Sequence, residues 1–282
     1  MSPKTVPASE QTENVLLCID GQFDFCDPTG SLYVTGADQD SRRLADGIRK
    51  DIKFFDRVVA TKDSHRAQHI AHSTWWVDEN GNHPDPFTLI GSDDVQGANA
   101  QWRAFAPNLR QWSEEYVAEL EKQGKYKLCI WPRHCLIGSN GHKIQPEIFE
   151  AFLEWEDACF ATVDYVNKGS SIWTEHYSAF KAEVSVPDDP MGTGPNMALA
   201  DYLAKARVLF IAGQALSHCV KATIEDIADH FGDEYVKKFA LIEDASSPVD
   251  APMFKQAAED FVNNMVGRGM KLVKSDQLDS VA

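Results

Sequence analysis

Three side chains with complementary chemistry lie far apart in the chain but at equivalent places in its pattern. The thiol of Cys219 ends GQALSHC, directly after the apolar run VLFIA. The carboxylate of Asp20 opens DGQFDF after VLLCI, and the amine of Lys168 lies in NKGSS. A thiol needs a base, and a buried Asp20 with a raised pKa can accept and return a proton. Lys168 would lower the thiol's pKa and balance the carboxylate. Such a Cys/Asp/Lys set can form a thioester with an amide. A helix predicted to begin near Ser217 puts Cys219 in its first turn, where unpaired N–H groups and the positive dipole end favour a thiolate and can hold an oxyanion.

A second set comprises Asp63, His65 and His134. Alternate residues of an extended segment point the same way, so Asp63 and His65 in TKDSH can reach one ion, with His134 of WPRHC arriving from a neighbouring strand end. An Asp/His/His shell with open positions suits one divalent transition metal, zinc first, with iron and manganese accepting similar ligands. His69 and His72 follow closely and could replace or extend the set. Phe25, Trp131 and Tyr177 are candidates to line an apolar slot for a planar substrate.

The elements that would position these groups read as α/β: a three-layer sandwich with a mostly parallel sheet of about six strands and helices on both faces. Candidate strands are 15–19, 57–61, 127–131, 160–164, 208–212 and 239–242, with 270–273 as a further one. Candidate helices are 40–55, 105–123, 146–156, 197–205, 217–230 and 252–266. In an open sheet of this kind ligands sit beyond the carboxyl ends of the strands, and the chemistry-bearing residues all fall there. Residues 66–104 break the rhythm: Asn80-Gly81 between STWWV and PFTLI reads as a hairpin turn. The chain is thus read as a single domain, 1–282, with a hairpin-containing insertion that is a candidate active-site lid.

The 282 residues carry 27 Lys+Arg against 43 Asp+Glu, a formal charge of −16, with 43% hydrophobic residues. This composition excludes disorder as the main state and makes nucleic acid and membrane surfaces poor partners. A small molecule is the better expectation. The N-terminus has neither the charged nor the apolar region of a secretory signal, and six cysteines without CxxC pairs argue against a disulfide framework, so the expected location is cytoplasmic. The Trp-rich insertion and residues 105–112 predict an apolar patch for self-association, and hence a homo-oligomer.

The succession DGQFDF, TKDSH, WPRHC, NKGSS with YSAF downstream, and GQALSHCVKAT resembles the nicotinamidases within the isochorismatase-like cysteine hydrolases, over roughly residues 14–245. The resemblance implies that Asp20 is the catalytic acid, Lys168 the lysine and Cys219 the nucleophile, with Asp63, His65 and His134 as metal ligands. It also implies a cis peptide before Ala215, whose N–H would form the oxyanion hole with that of Cys219. The expected activity is hydrolysis of nicotinamide to nicotinate and ammonia. Three features depart from the family: Gly21 where a bulkier residue is usual, Ser217-His218 before the cysteine, and the length of the insertion. They leave open another small carboxamide as substrate. A non-catalytic metal-dependent binding protein is the alternative from a different class, and His218 is read as filling the helix end.

Overall fold

Both faces of the central strands are apolar, as a sheet covered by helices on both sides requires. In the computed structural model, which describes residues 13–97, 100–124 and 127–281, six strands form one parallel sheet: β1 (Glu13–Ile19), β2 (Arg57–Asp63), β3 (Asp164–Lys168), β4 (Ala206–Gly213), β5 (Phe239–Ile242) and β6 (Lys271–Val273). Their order is β6-β5-β4-β1-β2-β3, every pair parallel. Val15, Leu17 and Ile19 of β1 join Leu209 and Ile211 of β4 in one core, while Leu16 and Cys18 join Val208 and Phe210 in the other.

The second core is closed by α1 (Ala37–Lys50) and α3 (Pro146–Cys159), through Leu44, Ile48, Ile148, Phe152 and Trp155. The first is closed by α2 (Arg110–Lys122), α4 (Met197–Leu203), α5 (Lys221–Phe231) and α6 (Pro252–Arg268), through such residues as Tyr116, Leu199, Ile227 and Phe261. No helix among the described residues is long and apolar enough to cross a membrane.

Four sequence expectations are corrected. Residues 127–131 do not enter the main sheet; Leu128–Cys129 pair antiparallel with Leu89–Ile90. The strand expected at 160–164 forms four residues later, because α3 runs past Glu156 to Cys159 and is capped by Phe160 in the left-handed region (φ 51°). Asn80-Gly81 does form a turn, with Asp78 accepting backbone N–H bonds from Asn80 and Asn82, but it joins no hairpin: Trp76–Val77 pair with Arg103–Ala104 instead. The helix expected from 105 starts as a helix only at Pro107, with a short 3-10 turn before α2.

The sheet fixes the site through its carboxyl edge, where four adjacent strands end. Asp20 follows β1, Asp63 ends β2, Lys168 ends β3 in direct register with Asp63, and Gly213 ends β4 beside Ile19. Gly213 has φ 115°, and a Cβ there would lie 1.9 Å from the Ile19 carbonyl oxygen. That oxygen accepts the Gln214 N–H at 2.8 Å, so the chain leaving β4 passes the end of β1 at backbone contact. Gly213→Ala is therefore expected to destabilise the protein by about 3 kcal/mol or more. Urea unfolding measures this, and an unchanged midpoint would contradict the close approach.

Candidate active site

The three groups singled out in the sequence meet. Lys168 Nζ lies 2.9 Å from Asp20 Oδ2 and 3.2 Å from Asp63 Oδ1. It also donates to the His176 carbonyl at 2.9 Å and to Cys219 Sγ at 3.6 Å. All three are buried, Asp20 completely. Asp20 adopts the left-handed backbone (φ 45°), unusual for a residue other than glycine, and Thr61 holds it there from both sides. The Thr61 hydroxyl accepts the Asp20 N–H at 3.0 Å and donates to Asp20 Oδ1 at 2.6 Å.

Burial decides the charges. It raises the Asp20 carboxyl above its ordinary range, against the pull of Lys168. Burial opposes the Lys168 charge as well, but Asp20, Asp63 and Cys219 outweigh it and hold the ammonium well above its usual value. The Cys219 thiol is pushed well up by burial, aided by Asp20 and Asp63, although Lys168 draws it down. The sequence expectation of a depressed thiol pKa is thus met in direction by Lys168 alone and overridden by desolvation. The set holds a protonated thiol beside a carboxylate able to take its proton.

Cys219 sits in a wide π-helical turn, Leu216–Val220, that leads into α5. The peptide between Gln214 and Ala215 is cis, as the resemblance implied. Gln214 anchors this loop: its side chain donates to Asp40 Oδ2 at 2.9 Å and accepts the Ser247 N–H at 3.1 Å. Ala215 and Cys219 border one narrow cavity, shared with Phe25, Trp131, Tyr177, Asp63 and His134. Trp131 Nε1 donates to the Tyr177 hydroxyl at 2.9 Å, which fixes two of its aromatic walls.

His218 belongs to the same wall rather than merely filling the helix end. Its ring packs against Trp131 at 5.1 Å, Tyr177 at 5.3 Å and Phe254 at 4.6 Å between centroids. Burial and the nearby Lys221 push it down to about 3, so the ring is neutral. Gly21 fits its surroundings: a Cβ would come within 2.9 Å of Cys18 Sγ and 3.0 Å of Ile148 Cδ1.

Asp63, His65 and His134 also come together. Asp63 Oδ2 is 3.0 Å from His65 Nε2 and 3.3 Å from His134 Nε2. His134 Nδ1 lies 2.8 Å from the Pro132 carbonyl, a contact that makes Nδ1 the donor and leaves Nε2 as a ligand lone pair. Neither His65 ring nitrogen makes a well-aligned hydrogen bond, although both are buried. Buried polar atoms left in this way, on borderline-hard donors, fit a divalent cation. Burial raises the Asp63 carboxyl, but His65 and Lys168 overcome this and hold it well below the usual range, so it is ionised.

Several participants had no distinct sequence signal of their own. Gln22 clamps Asp63, donating to its carbonyl at 2.8 Å and accepting its N–H at 2.7 Å. Asp24 Oδ2 accepts the Cys135 N–H at 2.7 Å, steadying the segment that carries His134. Both lie in DGQFDF, whose polar residues after a strand were the available clue. Glu175, whose Oε1 is 3.9 Å from His65 Nε2, lies among aromatic residues without a pattern.

No protein-family model matches the sequence. The nicotinamidase of Saccharomyces cerevisiae is 23% identical over 216 residues, covering 76% of this chain and 81% of the yeast protein. The solved structure of yeast nicotinamidase superposes with a TM-score of 0.62 at 20% identity, over 94% of this chain and all of that one. The pyrazinamidase of Pyrococcus horikoshii, solved in complex with zinc, gives 0.53 at 20% identity, over 93% and 99%. The chain has the α/β fold of these amidohydrolases. Its sequence is similar to that of the yeast nicotinamidase.

The electrostatics make a direct prediction for the metal-free protein. Iodoacetamide labelling of Cys219, followed by peptide mass spectrometry, should be slow near neutrality and rise with a midpoint above the ordinary thiol value of 9.0. Lys168→Met should raise that midpoint, since the ammonium is the group opposing burial. A midpoint of about 7 or lower, as in activated exposed thiols, would contradict the burial argument.

Proposed function

We propose that this protein is a nicotinamidase, an amidohydrolase that converts nicotinamide to nicotinate and ammonia through a thioester on Cys219. The observation that carries this reading is the meeting of Asp20, Lys168 and Cys219 beside the Asp63/His65/His134 cluster at one cavity. Sequence kinship with a nicotinamidase supports the substrate.

Asp20 takes the Cys219 proton as sulfur bonds to the carboxamide carbon. The N–H groups of Ala215 and Cys219 receive the negative charge that develops on oxygen. The C–N bond breaks, and Asp20 returns the proton to the departing ammonia. Water then gives a proton to Asp20 while its oxygen attacks the thioester, and the thiol regains that proton as nicotinate is released. Lys168 keeps the carboxylate and sulfur within reach throughout, its charge offset by Asp20 and Asp63. Phe25, Trp131 and Tyr177 flank the aromatic ring. Asp63, His65 and His134 would hold a divalent cation, zinc first among those the ligands suit, and it would supply a Lewis-acid anchor that orients the substrate ring.

His218 favours a second reading on the same chemistry. A neutral imidazole, its Nδ1 2.9 Å from the Ser217 hydroxyl, makes this wall more polar than a plain aromatic would, so a differently substituted small carboxamide is the rival substrate. Purified protein incubated with nicotinamide should release ammonia and nicotinate in equal amounts, and Cys219→Ala should lower kcat on the order of 10⁴-fold or more. Turnover surviving that substitution would overturn the nucleophile. In a carboxamide panel, nicotinamide ranking last by kcat/KM would overturn the substrate.

A further inference from the structure

The loop that joins β4 to Cys219 is held by groups remote from it in sequence. The Gly213 N–H donates to the Ala245 carbonyl and the Leu216 N–H to the Ser247 carbonyl, both at 2.9 Å, and the Ser217 hydroxyl accepts the Val249 N–H at 3.1 Å. The segment that follows β5 therefore runs alongside the loop. Gln214 strengthens this contact and extends it to a second element. It is 1% exposed, so its amide must find partners inside the protein. Its Oε1 accepts the Ser247 N–H, and its Nε2 donates to Asp40 Oδ2 at 2.9 Å. A backbone donor on one side and a carboxylate on the other select one orientation of that amide.

Asp40 lies in the first turn of α1, 3% exposed, and is itself held. Its Oδ1 accepts Arg43 Nη2 at 2.6 Å, and Arg43 Nε donates to the Asp244 carbonyl. The Asp244 carboxylate in turn accepts the Ser275 N–H at 2.8 Å and the Ser275 hydroxyl at 3.1 Å. A chain of charge-assisted hydrogen bonds thus runs from just past β6, through the end of β5 and the start of α1, to Gln214.

Gln214 directly precedes Ala215, and the Gln214 carbonyl and the Ala215 N–H belong to one planar peptide. The groups flanking that peptide are tied as well. The Gln214 N–H donates to the Ile19 carbonyl at 2.8 Å, and the Ala215 carbonyl accepts the N–H groups of His218 and Val220 at 3.0 and 3.2 Å. With both sides fixed, the direction of the Ala215 N–H follows from the anchoring of Gln214.

We propose that Asp40 is a positioning residue for acyl transfer: through Gln214 it holds the Ala215 N–H where the oxyanion forms. This rests on the reading that Cys219 attacks a carboxamide and that the Ala215 and Cys219 N–H groups receive the charge. Such a donor is effective when it is already in place as charge develops, and a displacement of about 1 Å costs on the order of 10²-fold in rate. Asp40 thereby acts on kcat from α1, through a side chain that is not itself in the cavity wall.

Pyridine-3-carbaldehyde separates this role from a general structural one. The Cys219 sulfur bonds to its carbonyl carbon, the C=O π pair moves onto oxygen and the thiol proton passes to Asp20, so the adduct carries the oxyanion; nicotinate, a planar carboxylate, forms no such adduct. In Asp40→Ala, kcat for nicotinamide and affinity for the aldehyde should both fall about ten- to hundredfold, while nicotinate binding stays within about threefold of wild type. Asp40→Asn, which retains an oxygen for Gln214 Nε2, should recover most of the loss. Gln214→Leu cuts the same link from the other end and should reproduce the pattern, which keeps the proposal testable if Asp40→Ala does not fold. Adding Asp40→Ala to Gln214→Leu should lower kcat no further. A folded Asp40→Ala or Gln214→Leu variant with kcat and aldehyde affinity within about threefold of wild type would overturn the proposal, as would equal losses for aldehyde and nicotinate or multiplying losses in the double variant. Failure of the underlying reading looks different: wild-type protein that neither hydrolyses nicotinamide nor binds the aldehyde at Cys219 would remove the oxyanion site, and the proposal with it.

Discussion

A lysine ammonium with its side chain 1% exposed is tolerable only where negative charge and backbone oxygen surround it, and Lys168 has two carboxylates, a carbonyl and a sulfur. The converse also holds. Asp20 and Asp63 approach the same small volume, and without the ammonium between them their charges would repel in a medium that screens poorly. Each of the three therefore depends on the others. The lysine joins what would otherwise be two separate sites, because it touches Asp20 and Cys219 on one side and the Asp63 cluster on the other.

The fold supplies this arrangement through strand order. β1 is central, and the chain leaves it in both directions along the sheet, so the carboxyl ends of β4, β1, β2 and β3 lie side by side. A crevice forms where the order reverses, and that is where ligands bind in sheets of this type. Precision comes from polar clamps beneath the reacting groups: Thr61 on Asp20, Gln22 on Asp63 and Gln214 on the loop before Cys219.

Much of this was legible in the sequence, because apolar runs that end in a charged or nucleophilic residue mark strand ends, and β1, β2, β4 and β5 fell where the runs fell. The same signal misplaced β3. Phe160, Ala161 and Val163 look like strand residues, but α3 continues to Cys159 and the chain must turn before pairing can begin. Asp164–Lys168 carries only one strongly apolar branched residue, Val166, since it is an edge strand exposed on one side. Residues 127–131 misled for the opposite reason: their apolarity serves the inner wall of the site and a two-residue pairing with the insertion, not the main sheet. Thr61, Gln22 and Glu175 were hidden because a hydrogen-bond clamp has no period or spacing.

The mutual dependence of Lys168 and Asp20 is most directly measured by a double-mutant cycle in urea unfolding, using Lys168→Met, Asp20→Asn and the pair. Lys168→Met alone should cost about 3–5 kcal/mol, because it leaves buried carboxylates uncompensated. The double variant should be less destabilised than the two singles combined, by on the order of 1–3 kcal/mol. Additive effects would mean that the ammonium and the carboxylate do not share one buried charge network, and the account of the site would fail.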